Sequence, residues 1–203
     1  MKDLIYISYY TEGYYEDIIN KYLLPSLNKF KLPSKIYKKP NLHNWTENGK
    51  QKYEIIYNRL INNDCSIVFL DADAEILKLP ELFYQINNNN TYDIGVHYLD
   101  WWKFWHNKPN QSKKELLGAT IYINNNDKTK ELFKNLYKQT QKSNEWGQKI
   151  LQKLIENNSQ LKVYNLPIEY CYINKIGDSI CQEQAIILQH QSSRKIRNKE
   201  IIL

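Results

Sequence analysis

SIVFLDADAEI, residues 66–76, decides the fold class of this 203-residue chain. Ile67, Val68, Phe69 and Leu70 are apolar, β-branched or aromatic in the main, and show no helical spacing. Such a run is a strand covered on both faces, as in parallel α/β sheets. Ligands of open α/β sheets sit beyond the carboxyl ends of the strands, where Asp71 and Asp73 emerge. Side chains two apart on an extended segment point the same way, so the two carboxylates converge while Ala72 faces elsewhere. Their repulsion calls for a hard divalent cation. Mg2+ or Mn2+ takes one or two carboxylates, keeps waters, and fills its shell with phosphate oxygens. Nine aspartates in this chain give about 0.4 Asp-x-Asp pairs by chance. The spacing therefore decides little; the apolar strand ahead of it, with small Ala72 and Ala74, makes a candidate metal and diphosphate site.

Upstream, Leu4 to Tyr10 reads as a first strand, and Ser8 to Gly13 as a polar, aromatic exit loop where a nucleobase could stack. Ile18, Ile19, Tyr22, Leu23, Leu27 and Phe30 follow helical spacing, with Pro25 kinking or splitting the helix near Leu24. Ser34 to Tyr37 is a short strand, and Pro40 to Asn48 a loop holding His43 and Trp45. Tyr53, Ile56, Tyr57, Leu60 and Ile61 trace one face of a helix that Asn62 and Asn63 stop.

Downstream, Pro80 opens a short helix through Ile86, and Asp93 to Tyr98 is a strand. In DWWKFWHNKP, residues 100–109, three of five tryptophans fall within five residues, which suits a flap over a sugar or a plug on the side of the domain. Gly118 to Ile123 is a further strand, and Asp127 caps a helix carrying Leu132, Phe133, Leu136 and Tyr137. Ser143 or Asn144 caps the next, with Glu145 in its first turn and Gln148 and Gln152 on the same polar flank. The macrodipole alone also favours an acidic residue there. Lys162 to Asn165, Ile168 to Tyr172 and Gln184 to Gln189 are extended pieces. The last ends in HQSSRK, residues 190–195, whose chemistry suits a third metal ligand at His190 and phosphate neutralisation by Arg194 and Lys195.

Composition predicts one compact α/β domain over residues 1–203. With 17 tyrosines and five tryptophans, aromatic residues must supply much of its buried area. A net charge of +6 attracts anions without naming them. Three cysteines, Cys65, Cys171 and Cys181, lack metal-ligand spacing, which suits a reducing compartment without a structural disulfide. No apolar run approaches a membrane span, so the expected location is cytoplasmic.

Several stretches together resemble the nucleotide-diphospho-sugar transferases of the glycosyltransferase-A fold. They are FLDADAEI, Trp45 followed by Lys52 and a helix ending at Leu60, the Gly118-Ala119-Thr120 strand start, Glu145-Trp146-Gly147-Gln148, and the late His190. The resemblance implies a mixed, mostly parallel sheet flanked by helices. It implies Asp71, Ala72 and Asp73 at a divalent metal, Mn2+ or Mg2+, that bridges the two phosphates of a nucleotide-sugar donor such as a UDP-sugar. By order along the chain it places Ile7, Ser8, Tyr9 and Thr11 at the nucleobase. Asp93, Gly118, Ala119, Thr120, Trp146 and Gln148 then fall near donor sugar and acceptor.

For an inverting transfer the candidate base is Glu145, with Asp100 in reserve; a retaining transfer does without one. Two other classes compete. A nucleotidyltransferase carries a Gly-rich basic loop after its first strand, but SYYTEGYY holds one glycine and no cation. A binding protein without catalysis would not need Asp71, Asp73 and His190 together. Among acceptors a glycan or small molecule ranks ahead of nucleic acid, because no basic and aromatic residues interleave on a recognisable module.

Overall fold

The computed structural model describes residues 3–100, 113–173 and 182–193. In chain order these form β1 (Leu4–Thr11), α1 (Tyr14–Lys21), α2 (Leu23–Lys29), β2 (Ser34–Lys39), α3 (Trp45–Asn62), β3 (Ser66–Leu70), β4 (Ala74–Ile76) and α4 (Glu81–Asn89). There follow β5 (Ile94–Asp100), β6 (Lys114–Ile123), α5 (Asp127–Lys142), α6 (Gly147–Glu156), β7 (Val163–Asn165), β8 (Tyr172–Ile173) and β9 (Ile187–Gln189).

The strand read from SIVFL is central. A six-stranded sheet runs β2-β1-β3-β6-β5-β7, and every residue of β3 is buried. β1 pairs in parallel with β2 and β3, and β5 with β7; β6 runs antiparallel between β3 and β5. The sheet is thus mixed and mostly parallel, as the apolar run of β3 implied. Alternation along β3 serves two cores. Ile67 and Phe69 pack with α3, α5 and α6, while Val68 and Leu70 pack with α1, α2 and α4. Each such side chain contributes about 1.5–3 kcal/mol by leaving water. A second, three-stranded sheet, β4-β9-β8, extends the chain just past Asp73 and pairs Ala74–Ile76 with Gln189–Ile187.

Several boundaries differ from the sequence reading for physical reasons. The first helix breaks at Tyr22, three residues before Pro25, because the proline ring excludes the carbonyl four residues back, that of Lys21. Helix α3 begins at Trp45, inside the expected loop, where the Asn44 side chain accepts from the Thr46 and Glu47 amides. Asn126, not Asp127, caps α5, in a reciprocal box with Thr129. Helix α6 starts at Gly147, beyond both Ser143 and Asn144; Trp146 stays extended at φ −58°, ψ 128°. Gly147 lies on the Tyr53 ring, where a Cβ would come within 2.0 Å of Cε2. β6 starts at Lys114, earlier than expected. Ile168–Tyr170 forms a 3-10 turn in place of a strand, and so does Gln182–Gln184, which leaves β9 at three residues. Among the described residues Cys65 and Cys171 are free thiols, and burial pushes Cys171 up to about 12; Cys181 lies outside the described residues.

Candidate active site

At the carboxyl end of β3 opens a cleft of about 360 Å3. Its floor is Asp71, Ala72 and Asp73; the end of β1, the first half of α3, the middle of β6 and the start of α6 form its walls.

Asp71 is tied into the fold by its backbone and its side chain. Its amide donates to the Ala119 carbonyl at 2.9 Å, and Oδ1 lies 2.7 Å from Lys52 Nζ. The same ammonium donates to the Gly118 carbonyl at 2.9 Å and lies 4.7 Å from the centroid of the Phe69 ring. Gln148 completes the knot, its Oε1 accepting the Gly118 amide at 2.9 Å. A Cβ on Gly118 would stand 3.2 Å from that oxygen. Four segments of the chain, α3, β3, β6 and α6, therefore converge on one carboxylate.

Asp73 is held from the opposite direction. Its Oδ2 accepts the Ser192 amide at 2.7 Å, and its carbonyl accepts the His190 amide at 3.1 Å. Gln191 between them takes a left-handed φ of 57°. Loss of solvation, and then the Asp71 charge, raise the Asp73 carboxyl above its ordinary value; the Ser192 amide and His190 act against them. Two carboxylates of one sign are thus held side by side. The phenols of the partly buried Tyr9 and the buried Tyr53, beside Asp71, are pushed up and stay protonated, and Tyr9 donates to the Asn48 carbonyl at 2.8 Å.

The structure brings together Tyr9, Thr11, Asp71, Ala72, Asp73 and the pieces Gly118, Ala119, Trp146 and Gln148 as lining of one cleft. Other expected site residues stand elsewhere. Ile7 is core packing on the α3 side, and Ser8 is fully buried with its hydroxyl unpartnered. Thr120 turns inward, its Oγ1 accepting from Gln189 Nε2 at 3.1 Å. Asp93 sits at the opposite end of the sheet, beside Ile94, which pairs with Ile123. There it accepts from Asn126 at 2.8 Å and from the Lys162 amide at 2.8 Å, a structural role. Glu145 is outside the lining and paired with Lys153 at 2.7 Å. Asp100 is also outside the lining, and its Oδ1 accepts the Lys113 amide at 3.1 Å. Arg194 and Lys195, and residues 101–109 of the Trp-rich stretch, lie outside the described residues.

His190 hydrogen-bonds Asp73 through its backbone amide, not its ring. Its Nε2 is 2.7 Å from Glu75 Oε2, and its ring stacks on Tyr22 at 3.7 Å. Among the described residues no three His, Cys, Asp or Glu side chains come together as a metal set. The pair Asp71 and Asp73 by itself fits an ion that keeps waters and phosphate oxygens. Burial, and then the Asp71 charge, disfavour the Asp73 carboxylate, and a cation there would offset that cost.

Sequence reasoning used Trp45 and Lys52 only to carry the family resemblance, and gave neither them nor Gly49 and Glu75 a place in the site. A signal for Lys52 was available: it stands beside Tyr53 and one turn before Ile56 on the buried side of α3, where an unpaired lysine would be costly. Trp45 and Trp146, 42% and 41% exposed, meet at the cleft with centroids 4.9 Å apart. Nothing in the sequence pairs them.

The profile of a family described as nucleotide-diphospho-sugar transferase matches residues 37–200, and the chain belongs to that family. Among solved structures, the fold is similar to a glycosyltransferase involved in glycosylation of the major capsid of PBCV-1. The TM-score is 0.67 at 11% identity, covering 98% of this chain and 100% of that one. It is also similar to mouse xyloside xylosyltransferase 1 in its apo form, with TM-score 0.53, 11% identity, and 94% and 98% coverage. These neighbours share the glycosyltransferase-A type of fold with this chain. A search of curated protein sequences finds no match. No helix among the described residues is long and apolar enough to cross a membrane.

Proposed function

We propose that this chain is a metal-dependent glycosyltransferase, acting as one domain in the cytoplasm. It moves a hexose-type sugar from a nucleoside diphosphate, uridine diphosphate foremost, to a hydroxyl acceptor. The observation that carries this reading is the Asp71 and Asp73 pair, fixed by Lys52 and the Ser192 amide on the floor of a cleft beyond β3.

In the transfer, the bond between the anomeric carbon and the phosphate oxygen breaks, and the diphosphate keeps the electron pair. The acceptor oxygen forms the new glycosidic bond and gives its proton to the departing diphosphate. Asp71 and Asp73 would hold a Mn2+ or Mg2+ ion, which would supply Lewis-acid charge for the departing diphosphate. The chain's own groups do the rest. Tyr9 and Thr11 line the nucleobase end. Lys52 orients Asp71 and leaves the Gly118 to Ala119 backbone rigid beside the donor sugar, because the Gly118 carbonyl and amide are both engaged. Trp146 exposes an apolar wall that keeps water from competing with the acceptor.

The test needs no acceptor. Thermal shift with UDP, GDP, CDP and ADP, each with Mn2+, with Mg2+ or with chelator, should show stabilisation by one diphosphate that requires metal, because a ligand of the native state alone raises its stability. Stabilisation by none of them would overturn the reading. Equal stabilisation in chelator would remove the metal from it.

A further inference from the structure

We propose that the mouth of the cleft carries a carbohydrate-acceptor subsite built from Trp45, Trp146 and Gly49, which makes the acceptor a glycan. This rests on the glycosyl-transfer reading and names its second substrate.

Two observations independent of the aspartates point there. The first is the tryptophan pair. Large aromatic side chains normally bury their area, yet Trp45 and Trp146 are 42% and 41% exposed while both line the cleft. Their rings incline at 59° with centroids 4.9 Å apart, and Lys149 Nζ stands 6.0 Å from the Trp146 ring. A hexose ring has one face of C–H groups and an edge of hydroxyls. It can pack that face on an indole while its hydroxyls stay in water. A diphosphate gains nothing from indole faces and would lose hydration there, and a nucleobase needs polar partners for its edge that these faces do not supply.

The second observation is Gly49. It lies inside α3, where glycine is about 0.8–1.0 kcal/mol worse than alanine. Neither backbone nor packing demands it. Its φ is not among the left-handed ones, and a Cβ would meet nothing within 4 Å. Trp45, Gly49 and Lys52 fall at i, i+4 and i+7, on one helical face, and all three line the cleft. The glycine leaves a gap in the side-chain row between the exposed tryptophan and the ammonium that holds Asp71. Along the helix that gap belongs to a stretch of roughly 10 Å from Trp45 to Lys52, the length of two hexose rings. Open space is what the glycine supplies, and a chain of sugars lying on α3 uses it to bring its terminal hydroxyl toward Asp71.

The experiment is a titration of the full chain, uniformly 15N-labelled, with maltotetraose, cellotetraose and chitotetraose. It follows the indole N–H signals, with Trp45→Phe and Trp146→Phe used for assignment. At least one tetrasaccharide should shift both indoles saturably. Gly49→Leu, which adds a better helix former and fills the gap, should weaken that tetrasaccharide at least about tenfold more than it weakens UDP with Mn2+. Gly49→Ala serves as the folding control and should melt no lower than the parent.

No saturable shift from any of the three sugars would overturn the subsite. So would shifts of these indoles by nucleoside diphosphates alone, which would make the pair a base platform, or a Gly49→Leu variant that binds the tetrasaccharide unchanged. Sugar binding in a protein that binds no nucleoside diphosphate would uphold the subsite while removing the transferase reading.

Discussion

Lys52 Nζ stands 2.7 Å from Asp71 Oδ1 and 2.9 Å from the Gly118 carbonyl oxygen, so one ammonium joins helix α3 to the carboxyl end of β3 and to β6. The lysine side chain is only 11% exposed. Removing one partner of a buried ion pair costs about 3–5 kcal/mol because the other is left uncompensated, and the partial exposure of Asp71 lowers that to about 2 kcal/mol here. Lys52→Met should therefore reduce unfolding free energy by that amount in urea melts and weaken metal-dependent UDP binding. Pairing it with Asp71→Asn should restore part of the stability and none of the binding. Additive losses in the double variant would mean that the two residues do not act on one another.

Asp73 makes the site pH-sensitive. Its carboxyl is raised in the folded protein, chiefly by loss of solvation and then by Asp71. The folded state therefore holds a proton that the unfolded chain has released. That contribution to stability is complete below about pH 4, the ordinary aspartate range, and is lost as pH rises through the folded value. Asp73→Asn keeps an acceptor for the Ser192 amide and removes the charge. Its melting temperature should gain on that of the parent as pH goes from about 4 to about 7. A difference that stays constant with pH would contradict the assignment. Metal-dependent UDP binding by the parent should weaken as pH falls over the same range.

Gly147 admits no side chain while Tyr53 keeps its place. Gly147→Ala puts a carbon 2.0 Å from Cε2 of the ring, and forced overpacking of this kind costs about 1–3 kcal/mol. The melting temperature should fall, and Tyr53→Leu in the same chain should recover some of the loss. An alanine variant as stable as the parent would show that the start of α6 yields easily.

Glu145 distinguishes a surface ion pair from a general base. It meets Lys153 at 2.7 Å, half-buried, away from the cleft lining. Glu145→Gln should change stability by less than about 1 kcal/mol and leave kcat within about tenfold, where loss of a working general base costs about 100-fold to 10,000-fold. A fall of the larger size would return Glu145 to the chemistry.

The central strand was legible because four consecutive apolar residues have few other ways to be buried, and the position of Asp71 and Asp73 follows from where such strands end. Trp45–Asn48 reads as loop because polar residues dominate it, and periodicity has nothing to detect there; α3 starts on an asparagine cap instead. Asp93 was assigned by order along the chain, which does not tell the two ends of a sheet apart. His190 shows the limit of composition. An imidazole just past a strand suits a metal, but a carboxylate two residues beyond Asp73 reaches it first and Tyr22 covers its face. Gln148 reads from the sequence only as a polar residue near the sugars. Its amide carbonyl accepts the Gly118 N–H, and that partner lies 30 residues back in the chain.

The Ser192 amide that holds Asp73 lies 119 residues further along the chain. As the protein leaves the ribosome, β1, α3 and β3 can meet early, but the floor of the cleft stays half-built until the segment around β9 has emerged and paired with β4. A nascent chain stopped between β4 and β9 would carry the strand and both aspartates and still lack the amide that fixes Asp73.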